Sequence, residues 1–305
     1  MKIAALQMVS TTNVDANLAT ASRLIAQAAR DGAELVVLPE YFCLMGRTDR
    51  DKLSIAEPPA ELAAEPPAQA PTLAHAAAPN TAPIQRMLSQ AARAHGVWLV
   101  GGTLPMRSSD PDPDPDPNPN PNPERVRVRN ANCVYAPDGR LAARYDKIHL
   151  FSYDNGRERY DEGASILAGD APVAVQAGSV RLGLSVCYDL RFPELYRELT
   201  FAQGPVRCDL MSVPAAFTYT TGVAHWELLL RARAVENQCY VIAAAQGGRH
   251  ENGRRTFGHS MIVDPWGEVL AVLPEGEGVV LAELDPARIA SVRSQLPALD
   301  HRRIG

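Results

Sequence analysis

The sequence predicts an α/β fold, and three observations carry that prediction. Two short apolar runs, residues 2–8 and 34–38, enclose a helical pattern, so strand, helix and strand follow one another within about forty residues. The same alternation returns across residues 180–245. The composition, 46% hydrophobic and 21% charged in 305 residues, is that of a globular body large enough for one extensive core.

The first helix is expected from about Asp15, a residue type that caps helix starts, with Leu18, Ile25 and Ala28 on one face and Gly32 at its end. ELVVL (34–38) is apolar at successive positions and bounded by Pro39, as in a strand buried on both faces. Residues 57–83 hold seven of the 25 prolines and residues 110–123 another seven. Both read as expansions of the fold: a Pro/Ala-rich insert and an Asp-Pro/Asn-Pro loop. The loop lacks every second ladder donor and is expected to be extended and solvated, and shortening it should shift stability by about 1 kcal/mol or less. Residues 84–95 are expected to be helical up to Gly96, and 97–104 to form a strand. Residues 126–135 and 141–147 flank Pro137-Asp138-Gly139, a turn signal that makes them a hairpin. Strand 180–187, helix 193–203, strand 208–213, helix 222–237 and strand 239–245 follow. Hairpin strands around Asp264-Pro265-Trp266-Gly267 precede a last helix from Pro286. With no repeat of 20–50 residues, residues 1–305 read as one domain.

Charge and cysteine usage exclude several classes. The two proline-rich stretches contain no Lys or Arg but seven acids; removing these from the 35 acids leaves 28 against 30 bases, a nearly neutral body. Such a balance carries no nucleic-acid footprint. No run of 18 apolar residues spans a membrane, and MKIAALQMVSTTNVD lacks a signal-peptide pattern. Five Cys (43, 133, 187, 208, 239), odd in number and without C-x-x-C, point to free thiols in a reducing compartment, the cytoplasm. No metal-ligand spacing such as H-E-x-x-H occurs.

Cys187 stands where a buried strand runs into a tight turn and a helix, the place where a nucleophile is presented with backbone N–H groups behind it. Cys208 and Cys239 lie inside apolar strand patterns, as core cysteines do. A catalytic thiol needs a base, because a free thiol of pKa ~8.5 is mostly protonated at neutral pH. His149, His225 and Glu40 each qualify at this level; Glu40 follows a buried strand in LVVLPEYF and is held by Pro39. Lys147, in RYDKIHLF, is placed to set an ammonium against a developing oxyanion.

Glu, Lys and Cys, each just after a strand and in that order, form a recognisable set. Through LPEYF, YDKIHLF and SVCYDLRFPEL the sequence resembles the nitrilase superfamily of carbon–nitrogen hydrolases, and the resemblance runs on through residues 214–246 and 258–270. It implies a four-layer αββα sandwich, commonly paired into a homodimer, acting on small-molecule amides with no metal or other cofactor. It implies that Glu40 is the general base, that Cys187 attacks the amide carbonyl to form a thioester, and that Lys147 and the backbone N–H of Tyr188 hold the oxyanion. A second active-site Glu matches Glu162 in DEGASILAGD, with Glu158 as the rival. Within the superfamily, VENQCYVIAAAQGGRHENGRRTFGHSMIVDPWG is similar to the branch containing deaminated glutathione amidases. That implies hydrolysis of deaminated glutathione, with an ω-amidase acting on 2-oxoglutaramate as the alternative and an acyltransferase or a non-catalytic interaction protein as readings of another class. Arg249, Arg254 and Arg255 are the expected carboxylate anchors, since guanidinium pairs bidentately with carboxylates.

Overall fold

The computed structural model describes residues 1–59, 82–108, 126–156, 159–201 and 206–304. The Asp-Pro/Asn-Pro loop, most of the Pro/Ala-rich stretch and Glu158 lie outside the described residues. In chain order the first half runs β1 (Lys2–Gln7), α1 (Val14–Arg30), β2 (Leu35–Val37), α2 (Pro83–His95), β3 (Trp98–Val100), β4 (Leu104–Met106), β5 (Val128–Tyr135), β6 (Leu141–Asp146), β7 (Ser152–Asp154), β8 (Arg159–Asp161) and β9 (Ile166–Leu167). The second half runs β10 (Ala174–Ala177), β11 (Val180–Leu184), α3 (Pro193–Phe201), β12 (Leu210–Ala215), α4 (Tyr219–Asn237), β13 (Tyr240–Ala245), β14 (Gly247–Arg249), β15 (Arg255–Phe257), β16 (Ser260–Val263), β17 (Val269–Leu273), β18 (Gly278–Glu283) and α5 (Pro286–Gln295).

Strand periodicity builds the layers. In β1 and β2, Ala4, Leu6 and Val36 pack with Leu24, Ile25 and Ala28 of α1 and with Ile84, Leu88 and Ala92 of α2. The alternate residues Ile3, Ala5, Leu35 and Val37 pack instead with Leu184 and Ile242 of a second sheet. Side chains on a strand alternate between faces, so one sheet face takes helices and the other takes a sheet. The first sheet orders β18-β1-β2-β3-β5-β4, with β6 and β9 also on β5; the second orders β10-β11-β12-β13-β16-β17. Leu195, Leu199, Trp226 and Leu230 of α3 and α4 cover the second sheet. The result is the expected helix–sheet–sheet–helix sandwich.

Several expected boundaries move, each for a physical reason. Asn13, not Asp15, caps α1, its side chain accepting from the Ala16 N–H. The run 97–104 is two strands: Leu99 faces Tyr135 but Leu104 faces Ala131, five steps against four on β5. The extra residue is accommodated at Gly101-Gly102; Gly102 has φ +60, and a Cβ there would stand 2.1 Å from the Pro39 carbonyl oxygen. The strand expected to reach Cys187 ends at Leu184, and Cys187–Arg191 is a 3₁₀ turn. The proline-rich stretch is not an insert at its ends. Buried Glu57 accepts from the Ile84 and Gln85 N–H groups at the start of α2, and Pro83 opens that helix. All five cysteines are free and buried. No described helix is long and apolar enough to cross a membrane.

Candidate active site

Three loops leaving the sheets converge on one pocket, and each is fixed by backbone contacts. Glu40 follows β2; its carbonyl accepts from Gln246 Nε2 at 3.1 Å, and Tyr41, at φ 54°, donates its N–H to Thr103 Oγ1 at 3.0 Å. Lys147 follows β6. Its carbonyl accepts from the Gly169 N–H at 2.8 Å, and a Cβ on Gly169 would stand 2.1 Å from the Asp146 carbonyl oxygen. Glycine at 169 therefore lets the loop carrying Glu162 lie directly against the Lys147 strand end. Cys187 has φ 49°, a left-handed conformation unusual for a residue with a side chain. Asp189 pins that turn: it accepts from the Val186 N–H and Tyr145 hydroxyl at 2.8 Å each and from the His149 N–H at 3.1 Å. Since Tyr145 and His149 bracket Lys147, one carboxylate locks the Cys187 turn to the Lys147 strand end.

The side chains then form a dense charged set. Lys147 Nζ donates to Glu40 Oε1 at 2.9 Å and to Glu162 Oε1 and Oε2 at 3.0 and 2.7 Å. Glu40 Oε1 also accepts from Asn130 Nδ2 at 3.0 Å, and its Oε2 from the Ala216 N–H at 3.0 Å. Glu162 accepts further from the Phe151 N–H at 2.8 Å and from the Tyr41 hydroxyl. Glu40 and Lys147 are each 1% exposed and Glu162 7%, so water contributes little here. Burial disfavours the Glu162 carboxylate, yet Lys147, Lys52 and these hydrogen bonds outweigh it and hold the group down to about 2. Burial likewise opposes the Lys147 ammonium, but the charges of Glu162 and Glu40 keep its pKa well above the usual value. Burial, then the Glu40 charge, push the Cys187 thiol well up, against the pull of Lys147.

These groups line one pocket that opens to solvent. One wall is a row of rings: Tyr160 lies 5.6 Å from Phe151, and Phe151 lies 5.1 Å from Tyr188, centroid to centroid. A guanidinium stands at each end of the row, Arg254 4.9 Å from the Tyr160 centroid and Arg191 5.8 Å from that of Tyr188. Asp49, Lys52, Ala216, Phe217, Thr218 and Thr221 also line it.

The family profile of the carbon–nitrogen hydrolases matches residues 2–294 of this chain. The chain belongs to the carbon–nitrogen hydrolase family. It is 41% identical over 302 residues to a deaminated glutathione amidase of Synechocystis sp., covering 98% of this chain and 97% of that protein. Its structure is similar to that of the Caenorhabditis elegans NitFhit protein, with a TM-score of 0.79 and 34% identity over 99% of this chain; it spans 65% of that longer chain. It is also similar to Saccharomyces cerevisiae Nit3, a member of branch 10 of the nitrilase superfamily, with a TM-score of 0.77 and 28% identity over 100% of this chain and 97% of that one. The protein is thus an enzyme, an amidase that cleaves carbon–nitrogen bonds.

In this carbon–nitrogen hydrolase Glu40, Lys147, Glu162, Cys187, Tyr188 and Arg254 all line the one pocket. Arg249 and Arg255 do not; the three arginines expected to converge are split. Arg249 is exposed on β14, and Arg255 pairs with Glu275 at 3.0 Å and stacks 3.5 Å from the Tyr219 centroid. The two histidines are occupied elsewhere, His149 Nδ1 with Asp189 at 2.7 Å and His225 with Arg191 at 3.2 Å. Four further pocket or support residues carry no local signal of their role. Asn130 reads as a strand residue, Tyr41 as a loop aromatic, Asp189 as part of a polar turn, and Lys52 as one charge in RTDRDK. Arg191 lies inside CYDLRFPEL, where only the cysteine carries a chemical signal of its own.

Proposed function

We propose that this amidase hydrolyses deaminated glutathione through a thioester on Cys187. The observation that carries the substrate is the wall of rings with an arginine at each end, in the pocket that holds the thiol. Deaminated glutathione has a carboxylate on both sides of its scissile amide: an α-keto acid in the acyl part, and the glycyl carboxylate of the departing cysteinylglycine. The primary amide 2-oxoglutaramate has only the first. Two separated cations match the former better.

Burial and the Glu40 charge favour the thiol form of Cys187, so the proton leaves as the sulfur attacks. Glu40 takes that proton and becomes neutral. Its contact with Lys147 weakens, and the freed N–H, with the backbone N–H of Tyr188, stabilises the oxyanion. Glu40 then protonates the departing amine as the C–N bond breaks. Water attacks the thioester with Glu40 again as base, the C–S bond breaks, and Glu40 returns the proton to sulfur. Glu162, bonded to Lys147 through both oxygens, keeps that ammonium charged and aimed. Two copies form the working unit, and Leu228 and Val235, exposed two turns apart on α4, offer an apolar face for pairing. A monomer in sedimentation at micromolar concentration overturns that part. A cytoplasmic setting agrees with the five free thiols.

The test is a parallel measurement of kcat/KM on deaminated glutathione, 2-oxoglutaramate, glutamine and an aliphatic nitrile. Deaminated glutathione should be hydrolysed most efficiently; equal or higher efficiency on 2-oxoglutaramate or on a neutral amide overturns the substrate assignment.

A further inference from the structure

Lys52 lies in the 3₁₀ turn Asp51–Ile55 and keeps only 9% of its exposure. Its ammonium sits 4.8 Å from the Tyr41 ring centroid and makes no hydrogen bond or ion pair with any described residue. An ammonium carries three donors, and those of Lys52, in the pocket lining, are available to a ligand. Two carboxylates act on it by charge: Glu162 has its oxygens engaged by Lys147, the Phe151 N–H and Tyr41, and Asp49 lies beside Arg254. Arg254, beside Lys52 in the pocket lining, is only loosely paired, its Nη1 3.6 Å from Asp49 Oδ1. The same two cations also line a groove that continues past Tyr41 along Leu44, Met45, Gly46 and Thr48. Burial pulls the Lys52 pKa down, against the charges of Glu162 and Asp49.

From this juxtaposition we infer that Lys52, with Arg254, is the anchor for the carboxylate on the acyl side of the substrate. The inference rests on the amidase reading above and deepens it. The acyl part stays bound as a thioester until water arrives, whereas the amine must leave for solvent. The acyl carboxylate therefore belongs with the buried cation. The half-buried Arg191, at the other end of the ring row, is left for a carboxylate on the leaving group. An ammonium in the pocket with no ion pair to a described residue favours an anionic acyl chain, which supplies one, over a neutral chain, which does not.

The experiment compares wild type, Lys52→Met and Lys52→Arg on deaminated glutathione and on pentanoyl-cysteinylglycine, which keeps the leaving group but lacks the acyl carboxylate. Lys52→Met should reduce the preference for the anionic acyl group, the ratio of the two kcat/KM values, by about 10–100-fold, mostly through KM. Lys52→Arg should restore part of it. In parallel, excess 2-oxoglutarate should raise the melting temperature of wild type and do so much less for Lys52→Met. An equal loss on both substrates, or an undiminished thermal shift in Lys52→Met, overturns the assignment and makes Lys52 a packing residue. Poor wild-type turnover of deaminated glutathione would instead count against the substrate reading, and the Lys52 ratio is then read on glutaramate against pentanamide.

Discussion

The inner wall of the pocket and its cationic end are built on opposite plans. At the inner wall each donor of Lys147 meets a carboxylate oxygen, and both oxygens of Glu40 and Glu162 are taken. Burying such ions costs several kcal/mol each, and only this complete matching offsets it. At the cationic end Lys52 forms no ion pair with a described residue and feels Glu162 and Asp49 only through their charge, while Arg254 has a distant partner. The groups that perform chemistry are held rigid before substrate arrives, since preorganisation is what lowers the barrier. Those that recognise substrate are left incomplete, so that the ligand's charge completes them.

The largest effect that would sharpen this comparison is Cys187→Ala, which should reduce turnover below detection while leaving the circular dichroism spectrum unchanged. Mass spectrometry of wild type with substrate should trap an acyl adduct on Cys187; an adduct on Cys43 instead would break the assignment. Glu40→Gln should lower kcat on the order of 10²–10⁴ with little change in KM. A near-normal kcat would mean that some other group is the base.

Acid stability reads the inner wall without catalysis. The Glu162 carboxyl lies at about 2 in the fold, below its ordinary 4.5, so its stabilisation is full above pH 4.5 and lost as pH falls towards 2. The shift corresponds to roughly 3 kcal/mol, and Glu162→Gln should flatten that part of the stability profile in urea unfolding. An unchanged acid limb would mean that the carboxylate is not held this way.

Effects at the cationic end should be smaller and fall on KM. Arg254→Met or Arg191→Met should raise KM for deaminated glutathione about tenfold and change kcat little. Arg191→Met should spare 2-oxoglutaramate, which has no carboxylate in its leaving group. Smallest of all, Arg249→Ala and Arg255→Ala should alter kcat/KM by about twofold or less, because neither lines the pocket. A tenfold rise in KM for either would erase the distinction between pocket and surface arginines.

Local sequence sets the alternation of strands and helices and the strand-end positions of Glu40, Lys147 and Cys187, and family resemblance implies the sandwich. These are legible because apolar periodicity and turn residues act between neighbours in the chain, and because a reactive side chain just after a buried run stands out. Only the tertiary structure decided which charges face the substrate. Arg249 and Arg255 are paired across the β14–β15 hairpin, while Arg254, one residue earlier, lies in the turn and reaches Tyr160. A shift of one residue at a strand end redirects a side chain, which no charge count detects. Lys52 reads as one charge among several until the 3₁₀ turn sets its ammonium over the Tyr41 ring in the pocket lining. Asp189 looks like a turn former until Tyr145 and His149, 44 and 40 residues away along the chain, arrive at its oxygens. Burial and hydrogen-bond satisfaction are sums over residues distant in sequence, so they exist only once the two sheets have packed.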